Sequence, residues 1–174
     1  MWIFKDYKLL SREDHEALLA IRNEEYIRKA SKISALISLN DHLKWVKSLT
    51  KNQNYFALFI DGTAVGGLNF THEKSCITNW GIFFSKNSQP LVASLATYIF
   101  IEYMLESYAS VKSEVIKSNK QALRFNKYFG ITIIHEDKTL YHLMITPEIW
   151  KDQKEKLKSL AKRVQMTRYK FEKA

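Results

Sequence analysis

Only a few residues of this chain have a type and position suited to chemistry, and one carboxylate stands out among them. Glu114 lies in a predicted strand over residues 111–116, and Asn119 follows at the start of a predicted helix. A carboxylate on such a strand can act as a general base. The alternative is a polar side chain on the solvent face of an alternating strand. The pattern therefore leaves two roles open for Glu114.

Several other kinds of active site are absent from the sequence. No phosphate-binding loop with Gly-Lys-Ser/Thr and no dinucleotide-binding glycine pattern occurs. Cys76 is the single cysteine and lacks the surroundings of an activated nucleophile. The histidines show no spacing typical of a metal site; they lie at positions 15, 42, 72, 135 and 142. We therefore expect no metal centre.

The positive charge of the chain is concentrated near its end. The 174 residues carry a formal net charge of +9, and residues 148–174 hold nine basic and four acidic residues. The remainder is only mildly basic, which argues against nucleic-acid binding by the whole domain and fits a small anionic partner. No apolar run approaches the ~20 residues that cross a bilayer. With one cysteine and no signal-peptide pattern, a cytoplasmic protein is expected.

The order of the predicted elements indicates an α/β fold with a mixed sheet. Strands are predicted over residues 2–10, 55–60, 64–70, 77–84, 111–116, 131–136 and 139–146. Helices are predicted over 11–22, 38–49, 91–106 and 120–129, and after Pro147. Residues 1–146 are assigned to the main domain. Residues 147–174 are assigned to a basic amphipathic helix that extends the same domain.

Local signals predict where several of these elements begin and end. Ser11 and Asp14 have the spacing of a capping box. Asp61-Gly62 favours a type I′ hairpin turn, because both positions of that turn need a positive φ. Gly66-Gly67 in the middle of a strand indicates a bulge or a close approach by another group. Gly130 is expected to end a helix in the left-handed conformation.

The stretch from Glu114 to Ile131 resembles a motif of the GNAT superfamily of acetyl-CoA-dependent N-acetyltransferases. In that motif a strand is followed by Asn, two residues, Ala and a Tyr-bearing helix that ends at Gly-Phe; the matching residues here are Asn119, Ala122 and Gly130. With the element order, the resemblance covers residues 2–146. It implies a mixed, mostly antiparallel sheet with a splayed central strand pair and helices on both faces.

Two further segments narrow the resemblance. Arg22-Asn23 and residues 37–45 are similar to the branch of the superfamily that acetylates amino groups of nucleotide-linked sugars. The likeness is to enzymes of pseudaminic acid biosynthesis, which serve flagellin glycosylation. The implied acceptor is the primary amine of an amino sugar, linked to UDP.

The resemblance also implies where acetyl-CoA binds as co-substrate. Its pantetheine arm would pair with a strand backbone at Ile82, Phe83 and Phe84. Its pyrophosphate would lie at the start of the next helix, where free N–H groups and the helix dipole favour anions. The remaining implied cofactor residues are Gln89, Val92, Ala93, Ser94, Asn119 and Phe125. The superfamily has a glycine where this chain has Val92 or Leu91, and a side chain there would crowd the pyrophosphate.

Glu114 and Asn126 are the implied catalytic positions. Glu114 would accept the amine proton, directly or through water. Asn126 stands where other members often have a tyrosine that protonates the CoA thiolate. An amide has no ionisable proton to give, so water is expected to protonate the thiolate. The acceptor would be bound by Arg22, Asn23, His72 and Trp80.

Alternative functions remain open from the sequence. One is acetylation of another amine, such as a protein N-terminus or a small molecule. Another is a degenerate GNAT fold that binds a partner without turnover, which the missing glycine and Asn126 favour. The C-terminal helix has an apolar stripe at Trp150, Leu157, Leu160 and Val164. This stripe needs cover, from the body of the protein, a second subunit in a homodimer, or a membrane surface. Docking on protein is the expectation.

Overall fold

The structure is a computed structural model that describes residues 1–31 and 33–174. The strands are β1 (Trp2–Asp6), β2 (Gln53–Ile60), β3 (Thr63–Glu73), β4 (Cys76–Phe84), β5 (Ser110–Ile116), β6 (Thr132–Glu136), β7 (Leu140–Ile145) and β8 (Tyr169–Glu172). The helices are α1 (Arg12–Arg22), α2 (Glu25–Ala30), α3 (Leu39–Ser48), α4 (Pro90–Leu105), α5 (Lys120–Tyr128), α6 (Pro147–Lys156) and α7 (Lys158–Gln165). The predicted mixed α/β order is confirmed.

Side-chain caps start the helices at the predicted positions. The Asp14 N–H donates to Ser11 Oγ, and the Ser11 N–H donates back to Asp14 Oδ2, so the capping box before α1 is formed. Asn119 Oδ1 accepts the Ala122 N–H at 3.0 Å and caps α5. Each cap satisfies an N–H group that the first turn of a helix leaves without a partner.

The chain forms two compact units, and β3, β4 and α4 contribute residues to both. The first unit consists of Met1–Asn69, Ile82–Ala93 and Thr167–Ala174. Its strand order is β4-β3-β2-β1-β8. β1 is antiparallel to β2 and parallel to β8. Its core includes Phe4, Leu18, Phe56 and Leu58, each almost fully buried.

The glycines of β3 allow a close approach of β4 within the first unit. A Cβ on Gly67 would lie 2.6 Å from ring carbons of Phe83 and 2.7 Å from the Tyr7 hydroxyl oxygen. No side chain fits at that distance, so the predicted close approach at Gly66-Gly67 is confirmed. The hairpin turn before it has positive φ at Asp61 and Gly62, as a type I′ turn requires.

The second unit consists of Phe70–Gly81 and Ser94–Met166. Its strand order is β6-β7-β5-β4-β3. β7 is antiparallel to both β5 and β6. The C-terminal helix α6 docks on α4, because the Trp150 and Tyr98 rings lie 4.8 Å apart and Lys154 pairs with Glu102 at 2.9 Å. Docking on the body of the protein is therefore what covers Trp150.

The C-terminal segment differs from the single helix that the sequence predicts. Two helices, α6 and α7, meet at Leu157, and residues 169–172 form β8. Phe171 of β8 stacks on Phe4 of β1 at 4.5 Å. A four-residue strand with two charged residues has little apolar periodicity of its own, and its pairing partner is far away in the sequence. For these reasons the strand is not visible in the local pattern.

Two other segments also differ from the prediction. β3 extends to Glu73, so His72 lies in a strand, and the turn is carried by Lys74 with its positive φ. β1 ends at Asp6, because Asp6 Oδ1 accepts the Lys8 N–H and starts a short 3-10 turn at Tyr7–Leu9.

Candidate active site

Within the second unit, β4 and β5 run parallel but pair at one end only. Their register joins Cys76 with Ser110 and Ile77 with Val111. In the described residues it joins no later pair, although β5 stays paired with β7 as far as Ile116. The two strands therefore separate, as the family resemblance predicts. An opened strand pair leaves backbone N–H and C=O groups to which an extended ligand can add as a further strand.

Glu114 lies on this separated part of β5, directly opposite His142 on β7. The His142 Nδ1 atom lies 3.6 Å from Glu114 Oε1, within the range of an ion pair. On its other side, His142 Nε2 lies 3.0 Å from Asp137 Oδ2. The three side chains are about one third exposed, at 34% for Glu114, 30% for His142 and 42% for Asp137. We call this carboxylate–imidazole–carboxylate arrangement the Glu114 cluster.

Asp137 is held as a carboxylate at one end of the Glu114 cluster. The hydrogen bond from His142, followed by those from the Thr139 and Leu140 N–H groups, holds the pKa of Asp137 well below its ordinary value. An ionised Asp137 only accepts hydrogen bonds, so Nε2 of His142 carries the proton that is shared with it. Nδ1 of His142 then faces Glu114.

Asn126 connects α5 to β5 inside the second unit. Its Nδ2 donates to the Ala122 carbonyl oxygen at 2.9 Å, and its Oδ1 accepts from the Ser113 hydroxyl at 3.4 Å. The side chain is 8% exposed. Both of its polar groups are engaged, and Ser113 precedes Glu114 in the strand. Asn126 is therefore placed to fix the strand that carries Glu114.

The other predicted residues of α5 have structural contacts. Asn119 caps the helix, as described above. Phe125 packs its ring on Phe129 at 5.1 Å. Gly130 follows with φ +79°, and the Gln153 side chain lies against it, so the predicted left-handed end of the helix is confirmed. Cofactor contacts by Asn119 and Phe125 stay predictions.

Two predicted acceptor residues lie elsewhere in the second unit. Trp80 is 7% exposed and lies on β4 after the strand has left β5. Its indole N–H is buried without a partner in the described residues. His72 packs against Tyr108 with ring centroids 5.0 Å apart, and its Nδ1 is likewise buried and unpartnered in that part of the chain. Buried polar groups normally have hydrogen-bond partners, so each of these two groups is available to bind a polar group of a ligand.

The predicted pair Arg22-Asn23 lies in the first unit and divides into two roles. The Asn23 side-chain amide donates from Nδ2 to the Ile37 carbonyl and accepts the Ile37 N–H. This pair of hydrogen bonds fixes the segment before α3. Arg22 donates to the Ile33 carbonyl at 3.5 Å, while its Nη1 is buried with no partner among the described residues. Burial lowers the pKa of Arg22. Its unused donor suits an anionic ligand oxygen.

The predicted cofactor strand and loop also belong to the first unit, except for Ser94. Ile82 and Phe83 are half-buried. The Phe84 carbonyl accepts a hydrogen bond from the Tyr26 hydroxyl. The helix start is a tight turn, since the Val92 N–H donates to the Gln89 carbonyl at 2.9 Å. Gln89 is exposed, and Val92 and Ala93 are half-buried.

The Glu24 carboxylate binds donors of the loop that precedes α4. Glu24 accepts the Ser85 hydroxyl at 2.9 Å and the Lys86 N–H at 3.1 Å. The Asn87 and Ser88 N–H groups turn inward and donate to Ser85. Three loop N–H groups and the Ser85 hydroxyl are therefore engaged before α4 begins, and an anion at this end of α4 would rely on N–H groups of the helix itself.

A second histidine contact, which the sequence does not predict, lies in the first unit. His15 Nδ1 and His42 Nε2 are 3.0 Å apart and buried. Burial lowers the pKa of both, and burial with the neighbouring His15 brings that of His42 to about 4. A cavity of about 430 Å³ adjoins the pair, lined by Tyr7, Lys8, Leu10, Arg12, His15, Leu43, Val46 and Lys47. It includes none of the predicted site residues.

The sequence does not identify His142 and Asp137 as site residues. The histidines have no spacing typical of a metal site, and no group of three or more metal-binding side chains occurs among the described residues. The contact of His142 with Glu114 arises from the register of β5 and β7, which no local spacing shows. The one available signal is the alternation of the two strands, which places both residues on one face once their pairing is known.

Comparisons with known proteins agree with this fold. No family model matches the chain. The chain is 28% identical over 147 residues to the acetyltransferase PseH of Campylobacter jejuni strain 81-176, covering 81% of this chain and 91% of that protein. The crystal structure of C. jejuni PseH in complex with acetyl coenzyme A gives a TM-score of 0.69 at 24% identity, over 84% of this chain and 99% of that one. FdhC, a nucleotide-linked sugar GNAT, gives a TM-score of 0.72 at 18% identity, over 87% and 92%.

The fold is that of the GNAT N-acetyltransferases. In sequence and in structure the protein is similar to the acetyltransferase PseH. Among the described residues, no helix combines the length and apolar character needed to cross a membrane.

Proposed function

We propose that the protein transfers an acetyl group from acetyl-CoA to the primary amine of a nucleotide-linked amino sugar. The observation that carries this proposal is the opening between β4 and β5 with Glu114 on the separated strand. An extended thioester ligand needs unpaired strand backbone, and the attack of an amine needs a base beside it. The second unit contains both features.

Acetyl-CoA, when bound, supplies the acetyl group as a reactive thioester. The residues present fit its binding in two places. The backbone of β4 beyond Ile77 is unpaired toward β5 and can hold an extended arm. The first turn of α4 offers its remaining N–H groups to a pyrophosphate, while the Val92 N–H donates to the Gln89 carbonyl. Pro90 at the helix start lacks an N–H, and Glu24 engages the Lys86 N–H, so this anion site is weaker than a glycine-rich loop.

Glu114 removes a proton from the acceptor nitrogen as the new C–N bond forms and the C–S bond breaks. General base catalysis of this kind contributes about 10²- to 10⁴-fold to a rate. Asn126 holds β5 through Ser113 and does not give a proton. The leaving thiolate takes its proton from water.

The proposed acceptor follows from the similarity to PseH and to FdhC and from the charge of the chain. The finer assignment is a UDP-linked 4-amino-4,6-dideoxy sugar of the pseudaminic acid type. Arg22 offers a buried donor to a phosphate oxygen. Trp80 offers an indole N–H, and His72 a ring nitrogen, to polar groups of the sugar.

One observation favours a binding protein without turnover as a second candidate. Glu24 places a negative charge at the loop that would meet the pyrophosphate. A negative charge near the pyrophosphate would weaken its binding by repulsion. In this candidate the GNAT fold would be retained while acetyl-CoA no longer binds.

Calorimetry with acetyl-CoA and an activity assay test the two candidates. We expect micromolar binding by the native chain, a loss of at least tenfold in Val92→Asp, and little change in Met166→Asp, which adds the same charge at a side chain that is 72% exposed. Incubation with acetyl-CoA and the UDP-linked amino sugar should release free thiol and acetylate the sugar. Folded protein that gives no heat with millimolar acetyl-CoA would overturn the proposal and favour the binding protein.

A further inference from the structure

We propose that His142 is a positioning residue of the acetyl transfer that acts through Glu114: it receives the proton that Glu114 removes from the acceptor amine. The inference rests on the proposed role of Glu114 as the base and deepens it. It assigns to β7 and to the turn before it a part in the reaction that the superfamily motif at residues 114–131 does not contain.

The geometry of the Glu114 cluster carries the inference. Glu114 and His142 are cross-strand partners in the antiparallel β5–β7 pair, so their side chains leave the sheet on one face. Their closest atoms are 3.6 Å apart, slightly beyond a direct hydrogen bond. One bridging water molecule completes the contact while Glu114 is ionised, and a small closure completes it once Glu114 carries a proton to donate to Nδ1; catalytic hydrogen bonds commonly tighten when substrate binds.

Asp137 determines which nitrogen of His142 can take the proton. Asp137 is anchored by the Thr139 and Leu140 N–H groups at 2.7 and 2.8 Å, and its Oδ2 accepts from His142 Nε2 at 3.0 Å. With the proton of the neutral ring on Nε2, the lone pair of Nδ1 points to Glu114. A histidine oriented by a buried or anchored carboxylate in this way is a proton acceptor in many enzymes.

The proton can be followed from atom to atom. It leaves the acceptor nitrogen for the Glu114 carboxylate, which becomes a carboxylic acid. It then passes to Nδ1 of His142, which becomes an imidazolium between two carboxylates, and Glu114 is ionised again for the next turnover. His142 is 30% exposed, so solvent can remove the proton. No oxidant or further reactant is needed.

The charged groups around His142 favour this path. Glu114 faces it from β5 and Asp137 from the turn before β7. His135 on β6 stacks on it with ring centroids 5.4 Å apart. Lys112, two residues before Glu114 on β5, lies opposite Met144, and Lys117 is paired with Glu136 at 3.1 Å. The two carboxylates are therefore the charges that contact the ring.

The first test needs no turnover. Nitrogen-15 NMR of the histidine rings in the native protein should show His142 in the Nε2–H form at alkaline pH, and Asp137→Asn should lose that preference. Glu136→Gln removes a carboxylate from the neighbouring strand and should leave the tautomer unchanged. A native ring that carries its proton on Nδ1 would overturn the inference, whatever the outcome for acetyl-CoA.

The second test is kinetic and uses acetyl-CoA with the UDP-linked amino sugar. We expect His142→Gln to lower kcat/KM about 10- to 100-fold and to move the acid limb of its pH profile to lower pH, because only Glu114 then remains to be protonated. Added imidazole should restore part of the activity of His142→Ala and none of that of Glu114→Gln.

A purely structural role for His142 predicts a different result. His142→Gln would then leave the pH profile in place, and imidazole would rescue nothing; either result would overturn the inference while Glu114 and the proposed function stand. If native protein with the correct tautomer acetylates no amine, the failure lies in the proposed function, and the proton path fails with it.

Discussion

Two histidine contacts of equal length have opposite surroundings in this molecule. In the first unit, His15 and His42 meet at 3.0 Å, and each is about 5% exposed. In the second unit, His142 meets Asp137 at 3.0 Å while about a third of its surface is open. The first contact joins two rings that burial keeps neutral. The second places a ring between carboxylates that can stabilise its charge.

The difference shows that surroundings, and not residue type, decide what a histidine can do. A buried ring next to aromatic neighbours loses its hydration when charged, which lowers its pKa and leaves it as a packing element. His42 lies 5.9 Å from Tyr7 and 5.7 Å from Trp45, ring to ring. An open ring beside a carboxylate can exchange protons with solvent. The first contact should therefore control stability and the second activity.

The largest expected effect is on stability, from His42→Ala. The substitution removes a buried ring and leaves His15 without its partner, so we expect the free energy of unfolding to fall by about 3 kcal/mol. Urea denaturation followed by circular dichroism measures this loss. His142→Ala is the matched control and should cost less than about 1 kcal/mol, because the ring is partly exposed. Equal losses would remove the distinction between the two contacts.

The second prediction concerns acid pH and the same buried pair. The pKa of His42 is lowered from 6.5 to about 4 in the folded protein, so the unfolded chain binds more protons between these values. Stability is then complete above about pH 6.5 and decreases as the pH falls toward 4, by roughly 3 kcal/mol. Denaturation midpoints at a series of pH values test this. His42→Gln should flatten the slope, and His142→Gln should retain it.

The sequence predicts those features of the fold that depend on a few neighbouring residues. The Ser11 capping box, the Asp61-Gly62 turn and the helix end at Gly130 each need one backbone conformation or one side-chain bond, and all three are present. The open β4–β5 pair is different, because backbone pairing leaves little trace in side chains. It is predicted through the family resemblance and not through the residues of the strands.

Features that depend on distant pairing are the ones that the sequence does not show. β8 becomes a strand because Phe171 stacks on Phe4, more than 160 positions earlier in the chain. Glu114 is identified as a candidate base, but its neighbour His142 depends on the β5–β7 register. The alternation of β5 does predict that Glu114 faces away from the core, and its 34% exposure agrees.

The third prediction separates support of the strand from proton transfer within the second unit. Asn126→Ala removes the bond with Ser113 that connects α5 to β5 and the bond to Ala122 within α5, and we expect the free energy of unfolding to fall by about 1 to 2 kcal/mol. Ser113→Ala removes only the longer bond, at 3.4 Å, and should cost less. Thermal denaturation compares the two. If Asn126→Ala is as stable as the native protein, Asn126 does not hold the strand.

The smallest expected effect on stability comes from the partly exposed contact between His142 and Asp137. The pKa of Asp137 lies below its ordinary value of 3.8, because the folded state stabilises the carboxylate with hydrogen bonds from His142 and the turn. Its contribution to stability is therefore present above about pH 4 and is lost only as the pH falls further, after the buried histidine pair has already become charged. Asp137→Asn should lower the melting temperature slightly at pH 7 and leave the slope between pH 6.5 and 4 unchanged. If Asp137→Asn changes that slope, the partly exposed contact of His142 with Asp137 governs stability in mild acid. The buried pair of His15 and His42 would then not have the role that its burial indicates.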